Sequence, residues 1–261
     1  MRSLAAIAFA VLLVAGCGLF SGNKDPKEQW TVEQYYEEAK DNMDAGSWQA
    51  AVKSFEALQA RYPYGRYAQQ AQLNIAYCYY KQSDSAGAIG AADTFIKQYP
   101  NNPGTDYAYY LKGLANFNGD LGLFSFIGGN DLSDRDPKAA RDAFDVFKEL
   151  ITRFPDSRYA SDARERMEYL INALAKYEVH VANYYLKRGA PLAAANRAQY
   201  AVVTYPRAPA TEEALAIMIR AYDQLNLPEL RNDAVRLMQD NFPNSRYLAT
   251  VGSDRPWWKW W

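Results

Sequence analysis

The chain has 261 residues, with 29 Lys and Arg against 30 Asp and Glu, for a formal charge of −1. That balance excludes a global pull toward nucleic acid, and no Lys/Arg cluster stands out as a phosphate-binding stripe. Two cysteines and one histidine cannot build a framework of several disulfides or a Cys/His metal cluster, whereas 21 tyrosines suit amphipathic binding surfaces or the helix cores of a repeat protein.

The first element is a signal peptide. Arg2 precedes an uncharged apolar run from Leu4 to Ala15, too short for a bilayer span of about 20 residues. The sequence Val14-Ala15-Gly16-Cys17 resembles the lipobox of bacterial lipoprotein precursors. That resemblance implies removal of residues 1–16, with Cys17 carrying the lipid at the new N-terminus; the alternative is an ordinary signal peptide cut near Ala15. Each buried methylene of an acyl chain adds about 0.8 kcal/mol, so a multiply acylated cysteine is a durable anchor. Gly18 stands where many inner-membrane lipoproteins carry aspartate, which favours the outer membrane. Residues 17–29 read as a lipidated tether. With Cys17 acylated, Cys78 has no disulfide partner, and its setting "NIAYCYY" marks a small core residue.

A repeat follows. Aromatic–proline pairs recur at Tyr62-Pro63, Tyr99-Pro100, Phe154-Pro155, Tyr205-Pro206 and Phe242-Pro243. Pro63 and Pro100 are 37 residues apart, as are Pro206 and Pro243. Each unit reads helix, turn, helix, proline stop, which resembles the tetratricopeptide repeat. In the first unit, Tyr35–Gly46 supplies helix A with its turn and Trp48–Tyr62 supplies helix B. Twelve residues before each proline stand Ala51, Ala88, Ala143 and Ala194, with Arg231 the exception. Small residues there let two helices approach, and Phe55 and Phe147 are expected to fill the adjoining gaps. The fold class is therefore all-α: a tetratricopeptide superhelix of about five units, three in residues 30–155 and two in 156–247, ending in a Trp-rich tail, 248–261.

Two spacings depart from the period. Between Pro100 and Pro155 the excess falls in residues 118–137, a glycine-rich segment expected to be a loop that either binds a partner or folds back on its own groove. Between Pro155 and Pro206 the excess is helical, because no glycine or proline interrupts Asp156 to Arg188. Asp156 or Ser157 is expected to cap this long helix, shared between the two groups of units, and Gly189 with Pro191 to end it. Its buried stripe reads Ala163, Met167, Leu170, Leu174, Tyr177, Val181 and Tyr184.

Enzyme chemistry is missing. His180 lies mid-helix with no second ligand at metal spacing, and no G-x-S-x-G elbow, H-E-x-x-H helix or phosphate-binding glycine loop occurs. No cofactor and no metal are expected.

The lipobox, the repeats, "SDRDP" at residues 133–137, "LAKYE" at 174–178, "NYYLKRGA" at 183–190 and Asn196-Arg197 together resemble the BamD family, the lipoproteins of the outer-membrane β-barrel assembly machinery. The resemblance implies a scaffold on the periplasmic face of the outer membrane. Its first three units would receive unfolded outer-membrane proteins by their C-terminal strand. Its last two would dock a POTRA domain of the barrel-forming subunit (BamA), with the smaller lipoproteins BamC and BamE alongside. For the strand, the candidates are Tyr62, Tyr64, Tyr67, Gln70, Asn74 and Tyr77, with Tyr62 and Tyr64 foremost and half of the six serving the core. For docking they are Arg197 at the centre, with Arg188, Asn196 and Glu178. The competing reading is a tetratricopeptide lipoprotein that coordinates cell-wall synthesis or division. The tail "GSDRPWWKWW" departs from the family pattern and suits a membrane interface, a partner, or the last repeat itself.

Overall fold

The computed structural model describes Lys27, residues 29–128 and residues 137–250. Cys17 with its signal peptide, the segment 129–136 and the tail from Val251 lie outside the described residues. Among the described residues there are ten α-helices: α1 Val32–Asp44, α2 Trp48–Arg61, α3 Arg66–Lys81, α4 Ser85–Gln98, α5 Thr105–Gly128, α6 Lys138–Arg153, α7 Ala160–Lys187, α8 Pro191–Thr204, α9 Thr211–Gln224 and α10 Pro228–Asn241. They pack as five consecutive pairs, each helix also touching the next, and no strand occurs among the described residues.

The proline stops work alike in every unit. A proline disfavours the helical conformation in the residue before it. Accordingly Tyr62, Tyr99, Phe154, Tyr205 and Phe242 all leave the helix, with φ between −126° and −135°. Each keeps one helical hydrogen bond, from its own N–H to the carbonyl of Leu58, Phe95, Leu150, Ala201 or Met238. Those five acceptor residues are fully buried. The turns inside the units are equally regular. Gly46, Ser83, Gly189 and Asn226 each stand two residues before a second helix, with φ of 72°, 60°, 72° and 55°. At Gly189 the left-handed turn lets Ala190 N–H reach the Tyr185 carbonyl at 3.0 Å and ends α7.

The expected small residues lie at the closest helix contacts. Ala51, Ala88, Ala143 and Ala194 are fully buried, as are Phe55 and Phe147. Twelve residues before Ala51, Ala88 and Ala194 stand Ala39, Ala76 and Ala182, also fully buried. In the third unit Gly113, 37 residues after Ala76, takes that place, and a Cβ there would lie 2.4 Å from the Phe147 ring. In the last unit both places hold large residues, Ile219 and Arg231, and the Arg231 Nε lies 3.4 Å from Asp223. Terminal repeats are commonly atypical in this way.

Three expectations are corrected. The segment from Asn118 to Gly128 is not a loop but the last three turns of α5. Long helix α7 begins at Ala160, without a side-chain cap. Ser157 instead donates to Asp106 at 2.6 Å and accepts from the Tyr159 N–H at 3.2 Å. Finally, the buried face of α7 turns after Leu174. Residues 170, 174, 178, 182 and 186 are buried, with Ala175 and Val179 beside them, whereas Tyr184 is exposed and Tyr177 and Val181 are only half-buried. A row of residues four apart advances 400° per step, so it drifts about 40° around the helix each time. Over 28 residues that drift carries the buried face from one neighbouring pair of helices to the next.

Candidate functional site

The first helices of units one to three place an aromatic, polar groove side by side. A cleft of about 470 Å³ is lined by Lys40, Met43 and Asp44 of α1, Trp48 of α2, Asn74 and Tyr77 of α3, and Tyr107 of α5. Trp48 and Tyr77 meet edge to face at 6.0 Å, and Lys81 places its amine 5.5 Å from the Trp48 ring. Lys40 pairs with Asp44 one turn further along α1. Buried Asn74 donates to the Tyr36 hydroxyl at 3.3 Å and accepts from Gln70 at 3.1 Å, so both ends of its amide are held. Tyr36 in turn lies 5.2 Å from Tyr67.

The rings continue into the next unit. Tyr107 is 5.3 Å from Tyr159, which stacks on Tyr110 at 4.6 Å. Burial, followed by the neighbouring Tyr159 and Tyr77, pushes the Tyr107 hydroxyl well above the usual phenol range. Burial and a 2.8 Å hydrogen bond to Asp162 push that of Tyr110 up to about 12. These hydroxyls are therefore neutral hydrogen-bonding groups, not acids or bases at physiological pH.

The six strand-binding candidates separate. Asn74 and Tyr77 line the cleft, while Gln70 and Tyr67 adjoin it through Asn74 and Tyr36. The two foremost ones do not line it. Tyr62 gives its hydroxyl to the Trp30 carbonyl at 2.7 Å and rests edge-on against Tyr35 at 6.0 Å, tying the chain before α1 to the end of α2. Tyr64 is 89 % exposed. Lys40, Met43, Trp48 and Tyr107 are cleft residues absent from the sequence candidates. For Lys40 a signal existed, since it stands 37 residues before Tyr77 and follows Ala39 as Tyr77 follows Ala76.

The second candidate set lies at the junction of units three and four. Glu178 of α7 is 1 % exposed and is not available to a partner, which corrects its place among the docking residues. Its two oxygens are taken by Arg141 of α6 at 3.1 Å and Arg197 of α8 at 3.0 Å. A buried carboxylate is tolerated where both oxygens are paired in this way. The Arg197 side chain remains about half exposed, beside exposed Asn196. Arg188, at the end of α7, is exposed and lies 5.3 Å over the Tyr184 ring. Tyr205 completes the junction, its hydroxyl pushed up to about 12 by burial and then by Tyr200.

Among the described residues no group of His, Cys, Asp and Glu could hold a metal ion. Cys78 is fully buried, its thiol pushed up to about 11 by that burial, and His180 is exposed on α7. The helix pairs, the aromatic groove and the paired junction define a scaffold of tetratricopeptide type. The family model described as an outer membrane lipoprotein, YfiO, matches residues 28–237. The chain belongs to this family.

Relatives carry one name. The outer membrane protein assembly factor BamD of Neisseria meningitidis serogroup B is 45 % identical over 90 % of this chain and 88 % of its own length. Its namesake in Xylella fastidiosa strain Temecula1 is 38 % identical over 94 % and 83 %, and that of Vibrio cholerae is 37 % identical over 89 % and 95 %. Among solved structures, the tetratricopeptide protein TTC0263 of Thermus thermophilus aligns over 85 % of this chain and 96 % of its own, at 14 % identity and a TM-score of 0.36.

Proposed function

We propose that this chain, as an outer membrane protein assembly factor, receives the extended C-terminal strand of an unfolded outer-membrane protein in the cleft between α1, α3 and α5. The observation that carries the reading is that Lys40 lines one cleft together with Trp48, Tyr77 and Tyr107. A strand ending in an aromatic residue and a carboxylate needs ring faces and a cation. Rings offer area at low entropic cost, each contact contributing about 1 kcal/mol. The Lys40–Asp44 pair is an exposed pair one helical turn apart, worth only about 0.3 to 0.5 kcal/mol, so an incoming carboxylate displaces Asp44 at small cost.

The test is photo-crosslinking of a C-terminal strand peptide from positions 40, 77 and 107, with 62 and 64 as comparison. Capture at 77 and 107 is expected. Capture confined to 62 and 64 assigns the strand to the outer turn and rejects the cleft.

The scaffold further docks the POTRA domain of the barrel-forming subunit BamA on units four and five, through Arg197 with Arg188 and Asn196, while BamC and BamE lie along the scaffold. The half-exposed Arg197 side chain supports this reading. Because Arg197 also neutralises Glu178, the informative variant is Arg197→Lys, which keeps the charge and loses the planar fork. Weakened co-purification of the barrel subunit is expected, with a loss of stability of about 1 kcal/mol or less; full co-purification rejects the contact. Cys17 carries the lipid that holds the chain on the periplasmic face of the outer membrane. Mass spectrometry of the mature N-terminus tests this, and an unmodified Cys17 rejects it.

A further inference from the structure

The outward faces of the second helices can be compared position by position, because every one ends at an aromatic–proline pair. Six residues before the proline stand Ala57, Thr94, Glu149, Tyr200 and Leu237; three before it stand Ala60, Lys97, Thr152, Val203 and Asp240. All ten are exposed. In the first three units the side chains are small, polar or charged, as solvated helix faces usually are. Only units four and five carry large apolar groups there. On α8 the row extends through Leu192, 60 % exposed, Tyr200 and Val203, 71 % exposed; on α10 it comprises Leu230 and Leu237. Residues 192, 196, 200 and 203 share one helix face, as do 230 and 237. Nothing in the repeat architecture requires this stripe, since the same positions on α2, α4 and α6 do without it.

The described chain ends on α10. Tyr247 and Leu248 pack against the C-terminal core that includes Met238 of α10, and the short turn Leu248–Thr250 rests on α10. Beyond it remain the eleven residues Val251 to Trp261, including Trp257, Trp258, Trp260 and Trp261. Extended, such a segment reaches about 38 Å, whereas the 14-residue α10 is about 21 Å long. The tail can therefore run the length of α10 and cross to α8. Tethering through so few residues gives an effective concentration in the millimolar range, which a free partner must exceed. The one charge within the tryptophan run, Lys259, is opposite in sign to that of exposed Asp240, one turn beyond Leu237.

We propose that the C-terminal tryptophans dock on the exposed apolar stripe of α8 and α10. Tyr200 and Leu237 are the central contacts; the tail covers the stripe from Tyr200 onward and leaves Asn196 and Arg197, one turn earlier on α8, to the docking partner.

The experiment uses the full chain in detergent. Trp258→Cys is combined in turn with Leu237→Cys, Tyr200→Cys and, as the equivalent position in unit two, Thr94→Cys; native Cys78 is buried and does not interfere. Under mild oxidation, disulfides within one chain are expected at 237 and 200 and none at 94. Tryptophan emission should shift to longer wavelength in the Tyr200→Asp, Leu237→Asp double variant, with helical circular dichroism unchanged because both sites are exposed. Absence of both disulfides, equal capture at 94, or capture only between chains overturns the proposal. So does an emission shift produced by phosphatidylethanolamine–phosphatidylglycerol vesicles but not by the double variant, which assigns the tail to the membrane surface.

Discussion

Units one to three and units four and five share one helix-pair plan, yet they place their large side chains on opposite faces. The N-terminal units turn Tyr36, Tyr67, Tyr77 and Tyr107 toward one another along their first helices. The C-terminal units expose Leu192, Tyr200, Val203 and Leu237 on their second helices. Both faces are free of the packing constraint that fixes Ala51, Ala88, Ala143 and Ala194, so each half is able to specialise without disturbing the stack. Between them lies a junction of different chemistry, where α6, α7 and α8 meet around the buried carboxylate of Glu178.

The sharpest way to break that plan is at the junction. Arg197→Glu would set a second carboxylate against buried Glu178 and remove one of its two counter-ions. Breaking a buried pair costs about 3 to 5 kcal/mol. Urea unfolding should show this loss, whereas Arg197→Lys should cost about 1 kcal/mol or less; equal stability of the two variants would mean that Glu178 is not held as described.

Within the N-terminal half, Gly113→Ala forces a methyl group onto the fully buried Phe147 ring, 2.4 Å from its nearest atom. Overpacking of this kind costs about 1 to 3 kcal/mol, outweighing the helix propensity gained from alanine. A thermal melt at or above the parent's would show that α5 and α6 are not in contact there.

In the C-terminal half, Gly189→Ala meets no atom within 4 Å, so its cost is purely that of a left-handed backbone at φ 72°. That is about 1 to 2 kcal/mol, read by the same melt; no change would mean that the turn ending α7 relaxes freely. The smallest effect has the opposite sign. Gly90→Ala on α4 has no neighbour within 4 Å and an ordinary helical backbone, and should stabilise by about 0.5 to 1 kcal/mol. Destabilisation there would reveal a contact on a face that the comparison treats as free.

The periodic part of the fold is written in local residue patterns. An aromatic–proline pair acts on its own neighbours, so each helix end was legible from Tyr62-Pro63 onward, and the alanines twelve residues earlier marked helix contacts because only small side chains permit close approach. The left-handed turn at Gly189 was local for the same reason. The glycines after Asn118 misled, because a weak individual preference does not stop a helix that α5 has already begun and packed against α6.

Tertiary structure alone decided the rest. Glu178 reads as a surface residue until two arginines, 37 positions before it and 19 after it, are brought to its oxygens. The turn of the buried face along α7 depends on which neighbours that helix passes. Among so many tyrosines, the sequence could not tell Tyr62, whose hydroxyl is held by Trp30, from Tyr77, which lines the cleft with residues of α1, α2 and α5. Which rings meet depends on the crossing of helices far apart in the chain, and no local preference encodes that crossing.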